Sequence, residues 1–170
     1  MAGSARRVLG IDTALRSSGV AVVESSGGRL SAVEYGRIAN PARRPLSECL
    51  LTLHRDVGAL IERTKPEAAA IEGVFFCKNV RTSVTLGEAR GAVITACRAM
   101  EVPVFEYPPR RVKQAIVGFG AAEKDQVRKM VMSLLGLTEP PQEDAADALA
   151  LAVCHLHSRS RYAELAPEEI

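Results

Sequence analysis

The sequence predicts an α/β domain in which five strands form one mixed sheet, antiparallel on one side and parallel on the other, with helices on its faces. Three strand-like apolar segments follow one another through tight turns before residue 40, which favours antiparallel pairing. Beyond them, helical and strand-like segments alternate, and such crossovers place strands in parallel. The length of 170 residues, with 47% hydrophobic and 25% charged residues, suits one domain with a substantial core.

The first strand ends on an acid. Val8–Ile11 is an apolar run followed by Asp12, and a polar turn at 16–19 leads into a second apolar run, Val20–Val23. An unpaired carboxylate is costly to bury, so an acid in this position needs a partner or a cation. Asp12 is therefore the first candidate functional residue.

Two crossovers complete the predicted sheet. The Gly27-Gly28 turn leads into a third strand over 29–38, and apolar residues at helical spacing then predict a helix over 46–64. The buried strand Ala68–Glu72 that follows also ends on an acid. Further predicted elements are a helix over 83–100, a strand over 102–107, helices over 111–117 and 124–135, and a last helix over 143–157. If the first and fourth strands are parallel neighbours, both terminal acids lie at one edge of the sheet, where open α/β sheets place their sites.

The chain reads as one domain over 1–158 followed by a polar, flexible tail over 159–170. No apolar run approaches the ~20 residues that cross a bilayer, and the first residues lack an apolar signal region. The four cysteines include no C-x-x-C pair, which favours a reducing compartment over a disulfide or zinc framework. We therefore expect a cytoplasmic protein without a membrane partner.

The last predicted helix contributes two more acids. Asp144 and Asp147 are three residues apart and share one helix face, and the alanines between them would allow the helix to approach a sheet closely. Each acid also has an ordinary structural interpretation. Asp144 could cap the helix, and Asp147 could interact with the positive end of the helix dipole.

Together these four acids suggest a metal site. Hard divalent cations such as Mg²⁺ prefer carboxylate oxygens, with waters and substrate phosphates completing the shell. Two ions about 3.5–4 Å apart can promote in-line displacement at a phosphodiester. Acids at strand ends also form ordinary ion pairs, so the spacing alone leaves both alternatives open.

The sequence resembles a known family, the RuvC Holliday-junction resolvases of the RNase H-like superfamily. The matching segments, which span nearly the whole domain in the family's order, are LGID at 9–12, AIEGVFFCKN at 70–79, LGEARG at 86–91, PVFEYPPRRVKQAIVGFGAAEK at 103–124 and DAADALALA at 144–152. The resemblance implies an RNase H-like fold. It also implies that the catalytic, metal-binding acids are Asp12, Glu72, Asp144 and Asp147.

The resemblance implies an activity as well. Members are Mg²⁺-dependent endonucleases that hold two ions per site, with Mn²⁺ as a substitute, and act as homodimers on four-way junction DNA in recombination and repair. The expected products carry a 5′-phosphate and a 3′-hydroxyl. A branch-migration motor complex is a further partner that the resemblance suggests.

One departure from the family pattern lies beside the first acid. Members usually continue that acid with Pro-Gly, whereas this chain has Thr13-Ala14. A glycine there could use backbone angles that Ala14 cannot reach cheaply, so we expect altered geometry next to the metal site.

Candidate DNA-binding residues lie in two basic segments, 76–98 and 105–130. The alternative is that these segments are ordinary solvated faces. The resemblance places Phe75 where the family stacks an aromatic ring on unpaired bases, whereas the neighbouring Phe76 reads better as a core residue. The full set of candidates is Phe75, Lys78, Arg110, Arg111, Lys113 and Lys124.

Some features leave alternatives open. Gly87 and Gly91 lie four residues apart on the second helix, where they allow either a dimer contact or packing on the sheet. His155 and His157 point in different directions on a helix and cannot ligate one metal together. Two other functions compete with the nuclease: a junction-binding protein whose metal site is spoiled by the Thr13-Ala14 change, and an ATP-using enzyme of the actin-like sugar-kinase group. The chain is short for the second, since that fold needs two such domains.

Overall fold

A computed structural model of the chain describes residues 5–73, 79–161, 167 and 169–170, without the side chains of 159–161. Its elements, in chain order, are β1 Arg6–Asp12, β2 Ser17–Ser26, β3 Arg29–Ala39, α1 Leu46–Thr64, β4 Ala68–Glu72, α2 Val80–Ala99, β5 Val104–Tyr107, α3 Pro109–Val117, α4 Lys124–Leu135 and α5 Glu143–Arg161. None of the described helices is long and apolar enough to cross a membrane.

The five strands form one mixed sheet in the order β3-β2-β1-β4-β5. β1 pairs antiparallel with β2, and β2 pairs antiparallel with β3. β4 lies parallel to β1 and β5 lies parallel to β4, so the two crossover strands extend the sheet on the opposite side from the hairpins. The predicted mixed five-stranded sheet is confirmed.

Helices cover both faces of the sheet because side chains alternate along each strand. Val8 of β1 is buried against the face that carries α3, α4 and α5, where Leu149 belongs to the same core. The neighbouring Leu9 and Ile11 are buried on the opposite face with Leu53 of α1 and Val93 of α2. The result is a three-layer domain in which β1, the central strand, is covered on both sides.

Glycine and proline residues mark the ends of several elements, as predicted. Gly27 and Gly28 both adopt positive φ, 58° and 82°, in the turn between β2 and β3. α1 ends where Lys65 adopts a left-handed conformation directly before Pro66. The bounds of α1, β4 and α4 agree with those predicted from the sequence.

The predicted turn at 16–19 is wrong. β2 begins at Ser17, and its residue Gly19 pairs with Asp12 of β1, so the connection between the strands is confined to 13–16. The polar residues that resemble a turn are held by pairing. Ser18 is fully buried and its Oγ accepts a hydrogen bond of 2.9 Å from the amide of Ala14.

Other bounds differ by a few residues. α2 begins at Val80, where the Asn79 side chain caps the helix by accepting hydrogen bonds from two backbone amides, and not at Ser83. α5 continues to Arg161. Near the C-terminus, Glu169 forms a β-bridge with Phe105, and the Ile170 amide donates a 3.0 Å hydrogen bond to the Val104 carbonyl. The described end of the chain therefore contacts the outer edge of β5.

Candidate active site

Two acids meet at the carboxyl ends of parallel strands. Asp12 is the last residue of β1 and Glu72 the last of β4, and the register pairs Ile11 with Ile71 directly before them. Both line a cavity of about 340 Å³. The expected convergence of these two strand ends is therefore present.

Helix α5 brings the other two acids to the same edge because glycines let it lie directly on the sheet. A Cβ atom at Gly10 would overlap the main-chain oxygen of Ala148 on α5. A Cβ atom at Gly19 would overlap that of Asp144 in the same way. Only glycine at these two strand positions permits this approach, which holds the start of α5 next to the end of β1.

Asp144 is oriented by a side chain that the sequence did not single out. The Ser17 hydroxyl, at the start of β2, donates a short hydrogen bond to Oδ2 of Asp144. Because α5 begins at Glu143, Asp144 lies within the first turn and is not the capping residue. The alternative interpretation as a helix cap is therefore wrong. No sequence pattern identifies Ser17, because its position looks like part of a turn.

Asp147 lies in the cavity with Asp12 and Glu72, and a lysine approaches it. Nζ of Lys124 lies 2.8 Å from a carboxylate oxygen of Glu143 and 3.5 Å from Oδ2 of Asp147. The Lys124 side chain is 69% exposed, so this contact does not seal the cavity. Lys113 of α3 also lines the cavity. The site thus combines a group of acids with two lysines at its margin.

Burial and mutual repulsion raise the pKa values of these acids. The pKa of Asp12 rises to about 7, first because the carboxyl is withdrawn from water and then because Asp147, Glu72 and Asp144 are negatively charged. Burial also raises the pKa of Glu72 and of Asp147, and the charge of Lys124 opposes the increase in both. A bound cation would stabilise the charged form of these carboxylates.

The residues fit a divalent cation in chemistry. The donors are carboxylate oxygens, which are the ligands that a hard cation prefers. A bound cation would also offset the repulsion between these carboxylates. Within 5–73 and 79–161, no three His, Cys, Asp or Glu side chains are close enough to enclose one ion. Mg²⁺ is commonly bound through one or two carboxylates with waters and substrate phosphates, so an open arrangement of this kind suits it better than a closed cage.

The Thr13-Ala14 departure leaves the backbone undistorted. Among the described residues other than glycine, positive φ occurs at Lys65 and Glu101, not at Ala14. Ser18 holds the turn from both sides, since its Oγ accepts from the Ala14 amide and donates to the Ala14 carbonyl at 2.5 Å. Ala14 therefore carries no backbone strain, and the altered geometry expected next to the metal site stays a prediction.

The predicted DNA-binding residues divide into three groups. Phe75 and Lys78, with Phe76, lie outside the described residues. Lys113 and Lys124 line the cavity with the acids. Arg110 and Arg111 lie on α3 but do not line the cavity. Burial raises the pKa of the Cys154 thiol on α5 to about 11, and the charge of Arg111 opposes part of that increase.

Arg90 belongs to the basic segment 76–98, but it does not lie on the surface. It is 9% exposed and makes an ion pair with Glu106 of β5. The signal that could have revealed it is its helical spacing, because Arg90, Val93 and Cys97 share one face of α2 and all three are buried.

Gly87 and Gly91 do not pack on the sheet. Both are exposed, and a Cβ atom added to either would meet no other atom within 4 Å. Val80 and Val84 share their face of α2 and are 78% and 55% exposed. Of the two alternatives for the glycines, packing on the sheet is excluded and a contact between copies stays a prediction.

Comparison with known proteins places the chain in a family. The family model described as crossover junction endodeoxyribonuclease RuvC matches residues 8–155. The chain is 47% identical to the RuvC of Chloroflexus aggregans over 89% of this chain and 93% of that protein. It is 44% identical to the RuvC of Syntrophomonas wolfei over 89% of each.

A solved structure agrees. T. thermophilus RuvC in complex with a Holliday junction substrate matches with a TM-score of 0.89 and 34% identity, over 96% of this chain and 99% of that one. The chain therefore belongs to the RuvC family of crossover junction endodeoxyribonucleases.

Proposed function

We propose that this protein is a divalent-metal-dependent endonuclease that cuts four-way DNA junctions during recombination and repair. The observation that carries the proposal is the meeting of Asp12, Glu72 and Asp147 in one cavity, with Asp144 beside them, in a chain of this family. Mg²⁺ is the proposed metal, at two ions per site, with Mn²⁺ as a substitute, because the donors are all carboxylate oxygens.

Each acid has a proposed part in the site. Asp12 and Asp147 would hold an ion between β1 and α5, and Glu72 would hold the second from the end of β4. Asp144 would complete the set, with its carboxylate turned by the Ser17 hydroxyl. Bound divalent ions lower the pKa of water and stabilise the oxygen that leaves the phosphate.

The lysines would bind the DNA backbone. Lys113 and the long, exposed side chain of Lys124 lie at the margin of the cavity, where they can reach phosphate oxygens on either side of the cut. Arg110, Arg111, Phe75 and Lys78 remain proposed DNA contacts. Hydrolysis would leave a 5′-phosphate and a 3′-hydroxyl, which a ligase can rejoin.

A homodimer is the proposed active form, since two symmetric cuts in a four-way junction need two sites. The exposed face of α2 formed by Val80, Val84, Gly87 and Gly91 supports this, because apolar and glycine residues at helical spacing suit contact with a second helix. Light scattering of the wild type and of Gly91→Arg should show a dimer and a monomer respectively. A monomeric wild type would contradict the proposal.

Two further proposals concern the setting. We propose a cytoplasmic location, supported by the described cysteines, Cys49, Cys97 and Cys154, which are buried free thiols. Cell fractionation tests it. A branch-migration motor complex remains a proposed partner, and co-purification of such an ATPase with the protein on junction DNA would support it.

The decisive experiment compares the wild type with variants of single acids. Wild type should nick a mobile four-way junction, and not linear duplex, when Mg²⁺ or Mn²⁺ is present. Asp12→Asn, Glu72→Gln, Asp144→Asn and Asp147→Asn should abolish cutting but still bind the junction, because removing negative charge does not weaken contacts with phosphates. Asp56→Asn is the matched control and should cut normally, because Asp56 is a half-buried acid on α1 that pairs with Arg55 and does not line the cavity.

The outcomes separate the competing functions. Near-normal cutting by any single acid variant would refute the assignment of that acid. Junction binding without cutting at every metal concentration would support the binding protein, which the undistorted turn at Ala14 does not favour. A thermal shift with ATP would support the kinase-like alternative, although the described strands form a single sheet.

A further inference from the structure

Arg90 is a buried cation beside the proposed active site. Its side chain is 10% exposed, and it projects from the face of α2 that also buries Val93 and Cys97. A guanidinium group is strongly hydrated in water, so burying it is costly unless its donors are paired. The contacts of Arg90 therefore indicate what this position does.

Both terminal nitrogens of the Arg90 guanidinium group donate hydrogen bonds. Nη1 donates a short hydrogen bond to the main-chain carbonyl of Glu72, the last residue of β4. Nη2 donates a short, charge-assisted hydrogen bond to the Glu106 carboxylate on β5. One side chain of α2 thus joins the ends of two neighbouring strands.

Glu106 completes this contact from the other side. Its register partner on β4 is Ile71, directly before Glu72. A Cβ atom at Gly73 would lie 3.1 Å from Oε1 of Glu106, so the carboxylate rests against the main chain that follows Glu72. The Gly73 amide also donates to the Tyr107 carbonyl at 2.8 Å. The main chain around Glu72 is therefore held by β5 and by Arg90 together.

We propose that Arg90, held by Glu106, is a positioning residue that fixes the main chain of Glu72 so that its carboxylate faces the metal-binding cavity. The inference rests on the proposed function of Glu72 as a metal ligand. Glu72 is the last residue of β4 and is only partly enclosed, unlike the fully buried Ile71 before it, so the direction of its side chain depends on how its main chain is held. Arg90 supports Glu72 in this way as Ser17 supports Asp144.

The test uses Arg90→Lys, which keeps the positive charge but loses the planar fork that joins Glu72 to Glu106. Arg98→Lys is the matched control, since Arg98 lies on the same helix, is 53% exposed and pairs with Glu169. Three quantities are measured: Mn²⁺ affinity of the DNA-free protein by electron paramagnetic resonance, the junction Kd in EDTA, and the single-turnover rate of cutting. Thermal melts report folding.

Arg90→Lys should weaken Mn²⁺ binding and slow cutting by about 10–100-fold, the usual effect of losing a group that orients a metal ligand. Its junction Kd should be unchanged, and high Mn²⁺ should restore part of the rate. Arg98→Lys should match the wild type in all three. Wild-type Mn²⁺ affinity in folded Arg90→Lys would overturn the proposal, as would an equal loss in Arg98→Lys.

A second variant, Glu106→Gln, tests the same proposal if Arg90→Lys does not fold. Glu106→Gln removes the charge that holds Arg90, and the Glu106 side chain is 39% exposed, so the substitution is milder. Weakened Mn²⁺ binding in folded Glu106→Gln supports the proposal, and unchanged binding overturns it. A wild type that binds Mn²⁺ but cuts no junction would refute the proposed function while leaving the positioning role testable by metal affinity.

Discussion

Replacing Asp12 by asparagine should stabilise the metal-free protein while abolishing cutting. The carboxyl of Asp12 is withdrawn from water and surrounded by Asp147, Glu72 and Asp144, which raises its pKa from 3.8 to about 7. The folded protein therefore binds this proton more tightly than the unfolded chain. Stability falls as pH rises from about 4 to about 7, because the charged form must then be accommodated in the fold.

The size of the effect follows from the pKa shift. About three pKa units correspond to about 4 kcal/mol at pH 8. The cavity is open to water and salt screens its charges, so we expect roughly half, ~2 kcal/mol, in the free energy of unfolding. For a chain of this size that is a rise in Tm of ~4–8 °C. At pH 5 the gain should fall to about a third, since Asp12 is then largely protonated in the folded wild type.

Thermal melts of wild type and Asp12→Asn in EDTA at pH 5 and pH 8 measure this difference, with Asp56→Asn as the control that should change little. Adding Mg²⁺ at pH 8 should raise the Tm of the wild type more than that of the variant, because the ion binds the folded acids. If Asp12→Asn were no more stable than wild type in EDTA at pH 8, the reasoning that these acids repel one another would be refuted.

Three other predictions test the supporting structure. Gly10→Ala places a methyl group in the main chain of α5 and should cost about 1–3 kcal/mol in urea unfolding, whereas Gly58→Ala, in open space on α1, should gain ~0.5–1 kcal/mol; similar midpoints would contradict the close approach. Ser17→Ala frees the Asp144 carboxylate and should slow cutting about 10-fold with unchanged junction Kd; an unchanged rate would show that Ser17 does not orient it. Lys113→Ala should reduce the slope of log junction affinity against log salt by about one, measured by fluorescence anisotropy, and an unchanged slope would remove Lys113 from the phosphate contacts.

Much of the fold could be predicted because the spacing of apolar residues and the positions of glycine and proline indicate the same elements. α1 has apolar residues at helical spacing and ends at Lys65-Pro66, and its bounds were predicted without error. The start of β2 could not be predicted, because Ser17, Ser18 and Gly19 have turn-forming composition. Their strand conformation comes from pairing with β1, a tertiary effect that outweighs local preference.

The acids of the site were easier to predict than the residues that support them. Asp12 and Glu72 each end an apolar run, which marks them in the sequence alone. Arg90 and Ser17 act through hydrogen bonds to elements far away in sequence, and only their three-dimensional neighbours reveal that role. A buried arginine also has the same composition signature as one that binds phosphate, so charge counting could not separate the two.

The seating of α5 on the two strand glycines has a consequence for synthesis of the protein. Asp12 leaves the ribosome early, whereas Asp144 and Asp147 emerge among the last residues of the described domain. A nascent chain that has made the hairpins and both crossovers still lacks two of the four acids of the candidate site. If Asp144 and Asp147 hold the metal as proposed, nuclease activity can begin only after translation has delivered the final helix.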